Sequence, residues 1–216
     1  MNGRRPSLLR SAASLGLVAL AGTTLLAGVH RLTADRIAEQ ERRAMLSQLS
    51  EIVPTERYDN DLRDDRFTFR DEQHFPGGQT VTAYRARRDG RPVAVILRFA
   101  APDGYNGPIG LLAGIDADGR LAGVRVTAHR ETPGLGDGIE IEKSDWIRGF
   151  ERKSLNSPPP AGWQVKRDGG EFDQFTGATI TPRVIVEAVQ RALQYYESHR
   201  EALFATPRAA PERPAK

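Results

Sequence analysis

The stretch VTAYRARRDGRPVAVILRF, residues 81–99, contains two strand patterns separated by a turn. Its flanks, residues 81–87 and 93–99, are rich in β-branched and aromatic residues, which favour extended backbone. The segment between them, RDGRP at residues 88–92, contains the Asp-Gly pair that is typical of hairpin turns. The stretch therefore predicts a β-hairpin.

A second hairpin pattern follows closely. Residues 109–115 and 121–127 are again strand-like, and the turn sequence DADG lies between them. Consecutive hairpins predict an antiparallel sheet, one face of which needs a cover. Apolar residues at helical spacing over residues 184–196, and a shorter helix at 143–150 capped by Ser144, supply that cover. We therefore predict an α+β fold, an antiparallel sheet with packed helices.

The N-terminal region has the pattern of a membrane anchor. From Ser11 to Val29 there is no charged residue, and this length is close to the ~20 residues that cross the hydrocarbon core. Arginines precede the run and mixed charges follow it, so the positive-inside rule places the N-terminus in the cytoplasm. A signal peptide cleaved near Ala21 is the alternative, and it also exports the domain. We expect an uncleaved, single-pass transmembrane helix.

These patterns divide the chain into five segments. Residues 32–53 continue as a charged helix with one apolar face, which Pro54 ends, and residues 59–78 are charged and irregular. The predicted segments are a basic cytoplasmic N-terminus (residues 1–10), a transmembrane anchor (11–30), a helical stalk (31–54), an exported domain (55–204) and a disordered tail (205–216).

Composition excludes several classes of protein. The chain has 216 residues, enough for one ordinary domain with appendages. Its net charge of +3 comes from basic residues near both termini rather than from a basic face, which argues against nucleic-acid binding. It contains no cysteine, so it provides no thiolate iron–sulfur ligand, disulfide or cysteine nucleophile.

The segment DGGEFDQFTGATITPRVI, residues 168–185, contains more hydroxyl groups than a helix start needs. Thr181, followed by proline, is expected to be the N-cap residue, with Ile180 in a hydrophobic staple. Capping does not explain Thr176 and Thr179. A hydroxyl just before a helix N-terminus suits a phosphate, because backbone N–H groups and the helix dipole point at it. The spacing alone favours the other possibility, a turn in which these hydroxyls bond only the local backbone.

A glycine-rich loop lies within residues 128–146, where glycines alternate at positions 134, 136 and 138. Such a backbone can approach a flat ligand closely. The order matches neither the dinucleotide fingerprint nor the P-loop. His129, Glu131, Asp137 and Glu140 could in principle bind a metal, but their spacing fits no known site pattern. The sequence therefore favours a solvated acidic loop, and we predict no metal site.

Two motifs resemble the bacterial FMN-binding domain family. TGAT at residues 176–179, preceded by Asp173, is similar to the flavinylation motif of that family, and HRETPGLG at 129–136 is similar to its second signature. Three longer runs also resemble the G subunit of Rnf-type complexes: GYNGPIGLL (104–112), IEIEKSDWI (139–147) and KRDGGEFDQFTGATITPR (166–183).

The resemblance implies a covalent cofactor. In the family the last threonine of the motif carries FMN through a phosphodiester bond, and this position is Thr179. The other implied residues of the attachment segment are Asp173, Thr176, Gly177 and Ala178, and those implied to line the ring are Glu131, Thr132, Gly134, Leu135 and Gly136. Backbone N–H groups of the second set are expected to stabilise reduced, anionic flavin. Asp173 is expected to bind magnesium or orient the acceptor hydroxyl during flavin transfer.

The resemblance also implies a place in a complex. An inner-membrane subunit with a periplasmic flavin domain would relay electrons in an ion-translocating oxidoreductase that links ferredoxin and NAD, without binding NAD itself. Its implied partners are the other membrane subunits and, for maturation, a flavin transferase. The C subunit of the sodium-translocating NADH:quinone reductase shares both motifs and is one alternative. A non-redox exported binding or scaffold domain is the other.

Overall fold

The computed structural model describes residues 5–205, except for the side chains of residues 5–9, 35, 37–39 and 41–44. Residues 1–4 and 206–216 lie outside the described residues, and with them most of the predicted disordered tail and part of the predicted basic N-terminus. The chain forms two compact units, Met1–Ser47 and Gln48–Lys216.

One long helix, α1, begins at Arg5 and ends at Ile52. Alanine and leucine, both strong helix formers, are frequent in its N-terminal half. Residues Arg10–Ala34 have a mean hydropathy of 1.8 and are long and apolar enough to cross a membrane. The hydroxyl of Thr24 donates to the carbonyl of Leu20 at 2.7 Å, so its polarity is satisfied within the helix. The predicted anchor and the predicted stalk are thus parts of one helix.

The second unit is built on an antiparallel sheet. Its five strands lie in chain order, and each pairs with the next. They are β1 (Arg66–Phe69), β2 (Val81–Arg88), β3 (Arg91–Ala101), β4 (Ile109–Asp116) and β5 (Leu121–Ala128). The α+β class and both predicted hairpins are confirmed. The expectation that residues 59–78 are irregular is wrong at β1, since four residues are too few to show a clear alternation.

The first hairpin is tighter than the sequence predicts. Strands β2 and β3 leave only Asp89 and Gly90 as the turn, with φ angles of 51° and 72°, as in a two-residue type I′ turn. Pro92 therefore lies within β3 rather than in the turn. The sheet tolerates it because β4 pairs with β3 only from Ala94 onward.

Both faces of the sheet are covered. One face packs against helix α2 (Ile180–Phe204), and their shared core includes Val95, Leu97, Leu111, Val189 and Leu193. On the other face, Ile52 and Val53 lie over Gly114, where any side chain would collide with Ile52. Apolar burial on both faces makes the sheet a firm base for the loops at its edge.

Residues 129–179 connect β5 to α2 through turns and short 3-10 helices. One of these, Asp145–Phe150, begins where the sequence predicts a helix, and Ser144 Oγ accepts the backbone N–H of Trp146 at 3.2 Å, which confirms the predicted cap. The rings of Trp146 and Phe175 meet edge to face with centroids 5.4 Å apart. This contact packs the residue just before the TGAT motif against the short helix that follows the glycine loop.

Candidate functional site

Three chain segments enclose a cleft of about 210 Å³ at the N-terminal end of α2. One wall comes from the loop between β3 and β4, the second from the glycine loop, and the third from the segment that begins α2. The lining residues are Tyr105, Glu131, Thr132, Leu135, Gly136, Gly177, Ala178, Thr179, Ile180 and Thr181. The two sequence motifs therefore meet at one place.

The rim of this cleft is apolar. Tyr105, Leu135 and Ile180 keep 67%, 49% and 42% of their surface exposed. Within residues 48–205, these are the only exposed large hydrophobic side chains, and all three line the cleft. Exposed apolar side chains gathered around a concave space are typical of a ligand-binding site.

Thr179 lies where the cleft meets the helix. Its backbone is the N-cap of α2, yet its side chain makes no capping hydrogen bond. The first N–H groups of the helix, those of Ile180 and Thr181, have no acceptor inside the helix, and Pro182 has no N–H. A phosphate at the Thr179 hydroxyl would be close to these donors and to the positive end of the helix dipole.

The structure corrects the role predicted for Thr181. This residue is fully buried, and its hydroxyl donates to Oε2 of Glu131 instead of capping the helix. The cap prediction is wrong because α2 already begins at Ile180, which places Thr181 within the first turn. Ile180 lies exposed at the cleft rather than in a buried staple.

Glu131 connects the three walls of the cleft. Its side chain is only 4% exposed. One carboxylate oxygen, Oε1, accepts the backbone N–H of Asn106 at 3.1 Å, and the other accepts the Thr181 hydroxyl. Asn106 also donates through Nδ2 to Thr132 Oγ1 at 3.2 Å. A buried carboxyl group with a donor at each oxygen fixes these segments relative to one another.

The other acidic residues of the glycine loop form ion pairs. Lys143 Nζ lies 2.6 Å from Asp137 Oδ2 and 3.0 Å from Glu140 Oε1. His129 Nε2 contacts the same Glu140 oxygen at 3.0 Å. The hydrogen bond from Lys143, followed by that from the Gly134 N–H, lowers the pKa of Asp137. In residues 5–205, no group of three or more such side chains is arranged to hold a metal ion.

Four of the five backbone donors expected to face the ring are engaged within the loop. The N–H of Glu131 donates to a histidine ring nitrogen at 3.1 Å, and that of Gly134 to an aspartate oxygen at 2.9 Å. The N–H groups of Leu135 and Gly136 both donate to the carbonyl of Thr132, at 3.1 and 3.0 Å. These four N–H groups already have acceptors, so among the predicted donors the N–H of Thr132 is the one left for an anionic ring, and its role stays a prediction.

Three predicted residues lie outside the cleft lining: Asp173, Thr176 and Gly134. The side chain of Asp173 is 68% exposed and pairs with Lys166 Nζ at 2.6 Å. Gly134 has a φ of 77°, so it serves the turn of the loop rather than the lining. Exposure of Asp173 and Thr176 leaves this part of the segment accessible from outside.

Three lining residues were not assigned to the site by the sequence motifs: Tyr105, Ile180 and Thr181. The sequence contains one signal for Tyr105: it is an aromatic residue in a polar loop that also contains two glycines, so it is expected at the surface, where it can contact a ligand. Ile180 and Thr181 follow the motif directly, but helix capping explained them equally well.

Two family models match the chain. The model described as the FMN-binding domain matches residues 104–194, and the model of the RnfG N-terminal region matches residues 1–52. The first covers the cleft entirely.

Similar proteins occur in several bacteria under one name, the G subunit of the ion-translocating oxidoreductase complex. The relative from Pseudomonas aeruginosa PAO1 is 51% identical over 206 residues, which is 95% of this chain and 96% of the relative. The relative from Shewanella oneidensis MR-1 is 43% identical over 93% of this chain and 94% of its own length. That from Vibrio cholerae N16961 is 42% identical over 89% and 92%. With this identity over nearly its whole length, the chain belongs to the family of G subunits of the ion-translocating oxidoreductase complexes.

Proposed function

We propose that the protein is a membrane-anchored flavoprotein subunit of an Rnf-type ion-translocating oxidoreductase, with FMN attached to Thr179 through a phosphodiester bond. The observation that carries the proposal is the position of Thr179, which lines the cleft and whose side chain makes no capping hydrogen bond. The match to the FMN-binding domain, and the names of the relatives, support FMN and the complex.

The residues present fit this cofactor. The threonine hydroxyl and the first N–H groups of α2 suit the phosphate. Tyr105, Leu135 and Ile180 offer apolar surface to the flavin ring. Glycine suits position 136, because a Cβ there would lie 3.0 Å from Glu131 and 3.2 Å from the Thr181 hydroxyl. FMN supplies the redox chemistry, while this chain binds, orients and electrostatically tunes it.

Maturation requires a second protein in this proposal. A flavin transferase would recognise the attachment segment, of which Asp173 and Thr176 are accessible and Gly177, with a φ of 83°, forms the turn before Thr179. Asp173 remains our candidate for binding magnesium or orienting the hydroxyl during that transfer. A covalent bond keeps the flavin on a domain outside the cytoplasm, where dissociated FMN would be lost.

The place in the complex follows from the family. We assign the protein to the electron relay between ferredoxin and NAD, in contact with the other membrane subunits. The match to the RnfG N-terminal region and the shared name of the relatives favour this assignment over the C subunit of the NADH:quinone reductase.

The attachment is tested on denaturing gels. The protein is produced in a host that expresses a flavin transferase, and flavin fluorescence is measured at the mass of the chain. Thr179→Val is expected to abolish the fluorescence while the domain stays folded.

Thr68→Val is the matched control, since it removes an exposed threonine hydroxyl on β1, outside the cleft and the attachment segment, and it is expected to stay fluorescent. A colourless wild-type band, or a fluorescent Thr179→Val band, contradicts the proposal.

A further inference from the structure

Glu131 places a negative charge in the cleft. Its carboxyl group accepts hydrogen bonds at both oxygens, from Asn106 and Thr181, as a carboxylate does. It is 4% exposed, so water screens it poorly. Gly136 packs directly against it, and both residues line the same cleft as Thr179.

No cation neutralises this carboxylate among the described ion pairs. Lys143, a basic residue of the same loop, forms ion pairs with Asp137 and Glu140 instead. Arg183, in the first turns of α2, forms a two-pronged contact with Asp168 at 2.8 and 3.1 Å. The remaining titratable or charged groups on the elements around Glu131 are the Tyr105 phenol, the His129 ring, Asp103 and three exposed side chains, those of Arg130, Glu142 and Glu187.

Most of the backbone donors that would compensate a negative ring are also engaged in this loop, with the N–H of Thr132 as the remaining one. The N–H groups of Glu131, Gly134, Leu135 and Gly136 have acceptors within the loop. The helix N-terminus is adjacent to Thr179, where the phosphate would use it. A flavin ring held in this cleft would therefore lie beside an anion and apolar side chains.

We propose that Glu131 keeps the reduced flavin electrically neutral, an inference that rests on the proposed attachment of FMN at Thr179. Reduction adds two electrons together with either one proton, which leaves the ring negatively charged, or two protons, which leaves it neutral. The electrons come from a redox partner in the complex and the protons from solvent. A buried carboxylate beside the ring makes the negatively charged product less favourable, so the second proton is retained to higher pH.

The pH dependence of the midpoint potential reports this proton. For a two-electron couple, each proton taken up contributes about 30 mV per pH unit. The slope is therefore halved at the pH where the reduced ring loses its second proton, and the position of this break measures the proton affinity of the ring.

The experiment is a redox titration of the covalently loaded, full-length protein at a series of pH values, followed by flavin absorbance. The wild-type break is expected at higher pH than that of free FMN titrated alongside. Glu131→Gln is expected to lower the proton affinity of the reduced ring about tenfold, and so to move the break down by about one pH unit.

Two variants separate charge from structure. Glu131→Asp keeps the charge and is expected to retain a break near that of the wild type. Glu142→Gln removes an equivalent charge from an exposed position of the same segment, outside the cleft lining, and is expected to leave the break unchanged.

An unchanged break in folded, loaded Glu131→Gln overturns the inference. If Glu131→Gln does not fold, the comparison between the wild type and free FMN tests the inference. A wild-type break at the same pH as that of free FMN, or at a lower pH, overturns it. Failure of the attachment itself is distinguished by the gel: a wild-type band without flavin overturns the proposed function and this inference together, whereas a fluorescent band with an unmoved break overturns this inference alone.

Discussion

At the scale of single residues, Thr181 shows how a capping pattern can conceal a tertiary contact. A threonine followed by proline before an apolar helix is a typical helix start. The structure instead buries its hydroxyl against the Glu131 carboxylate. A local rule predicts a local partner, and the sequence does not reveal that Glu131, fifty positions earlier, lies beside it.

Thr181→Val is therefore expected to lower the free energy of unfolding by more than the loss of a helix cap would. It removes a donor from a buried carboxylate, which typically lowers the free energy of unfolding by about 1.5–3 kcal/mol. Thr181→Ser retains the hydroxyl and is expected to remain close to the wild type. Chemical denaturation of the protein without flavin measures both.

Thr181→Asp distinguishes the two roles most sharply. Aspartate is among the best N-cap residues, so a capping position would accept it. Beside Glu131 it would bring two carboxylates together in a buried site, which is strongly unfavourable. We expect Thr181→Asp to be less stable than Thr181→Val, and a variant as stable as the wild type would restore the capping role.

For the rest of the site, the sequence predicts the residues that adjoin the motif and the helix start, but it does not predict how the irregular loop directs its hydrogen bonds. Thr179, Gly177 and Ala178 lie in the cleft because the motif and the helix start adjoin in sequence. In the glycine loop, Leu135 and Gly136 also line the cleft, but their N–H groups donate within the loop. Hydrogen-bond direction within an irregular loop depends on φ and ψ at each residue, which composition does not specify.

At the scale of elements, the glycine loop is held by a cluster of charges. The hydrogen bonds from Lys143 lower the pKa values of Asp137 and Glu140. The same hydrogen bonds raise the pKa of Lys143. Such shifts link the stability of the loop to pH. The ion pairs stabilise the loop within a pH window, which ends on the acid side where the carboxylates become protonated and on the alkaline side where the lysine loses its proton.

Asp137→Asn tests this window. Because the folded pKa of Asp137 is lowered, its stabilisation is complete above its unfolded value of about 3.9 and is lost as pH falls through the folded value. Because the folded pKa of Lys143 is raised, its contribution is complete below about 10.4 and is lost as pH rises further. Wild type is expected to melt above the variant at intermediate pH, and the difference should shrink at both extremes.

Thermal unfolding as a function of pH measures the difference. Asp145→Asn is the matched control, since its side chain is 91% exposed and its ion pair with Arg148 lies at the surface. The control is expected to change little at any pH. A constant difference between wild type and Asp137→Asn across the whole range contradicts the linkage.

Elements with strong periodicity were the predictable part of the fold. Strands β2 to β5 occur where alternation and turn residues indicate them. Strand β1 was not predicted, because four residues are too few for a clear pattern and its position is set mainly by its pairing with β2. Helix α2 extends to Phe204, well beyond the predicted end at residue 196, and His199 departs from helical backbone with a φ of −125°. Tertiary packing thus decides the ends of elements more than local propensity does.

At the scale of the whole molecule, helix α1 carries the chain from an apolar segment to the flavin domain. Residues Arg10–Ala34 have the length and hydropathy of a membrane span. The second unit, from Gln48 onward, contains the sheet, α2 and the whole cleft. We propose that the first unit anchors the protein and that the second holds the flavin outside the cytoplasm.

Orientation in the membrane is the last prediction. Basic residues before the apolar run favour a cytoplasmic N-terminus, so the domain is expected in the periplasm. The absence of cysteine makes the chain suited to labelling, because one introduced thiol gives the only signal. Asn156→Cys adds a thiol at an exposed position of the domain, and Ser7→Cys adds one before the apolar run.

In cells with a permeabilised outer membrane and an intact inner membrane, a charged maleimide should label Asn156→Cys and not Ser7→Cys. After the inner membrane is disrupted, both should react, which controls for accessibility of each thiol. The reverse pattern would place the flavin domain in the cytoplasm and contradict the orientation, while labelling of a shorter chain lacking residues 1–21 would indicate a cleaved signal peptide instead of an anchor. Labelling of the full-length Asn156→Cys chain alone in the first condition is the result that the arginines before the apolar run predict, because their translocation across the membrane is unfavourable.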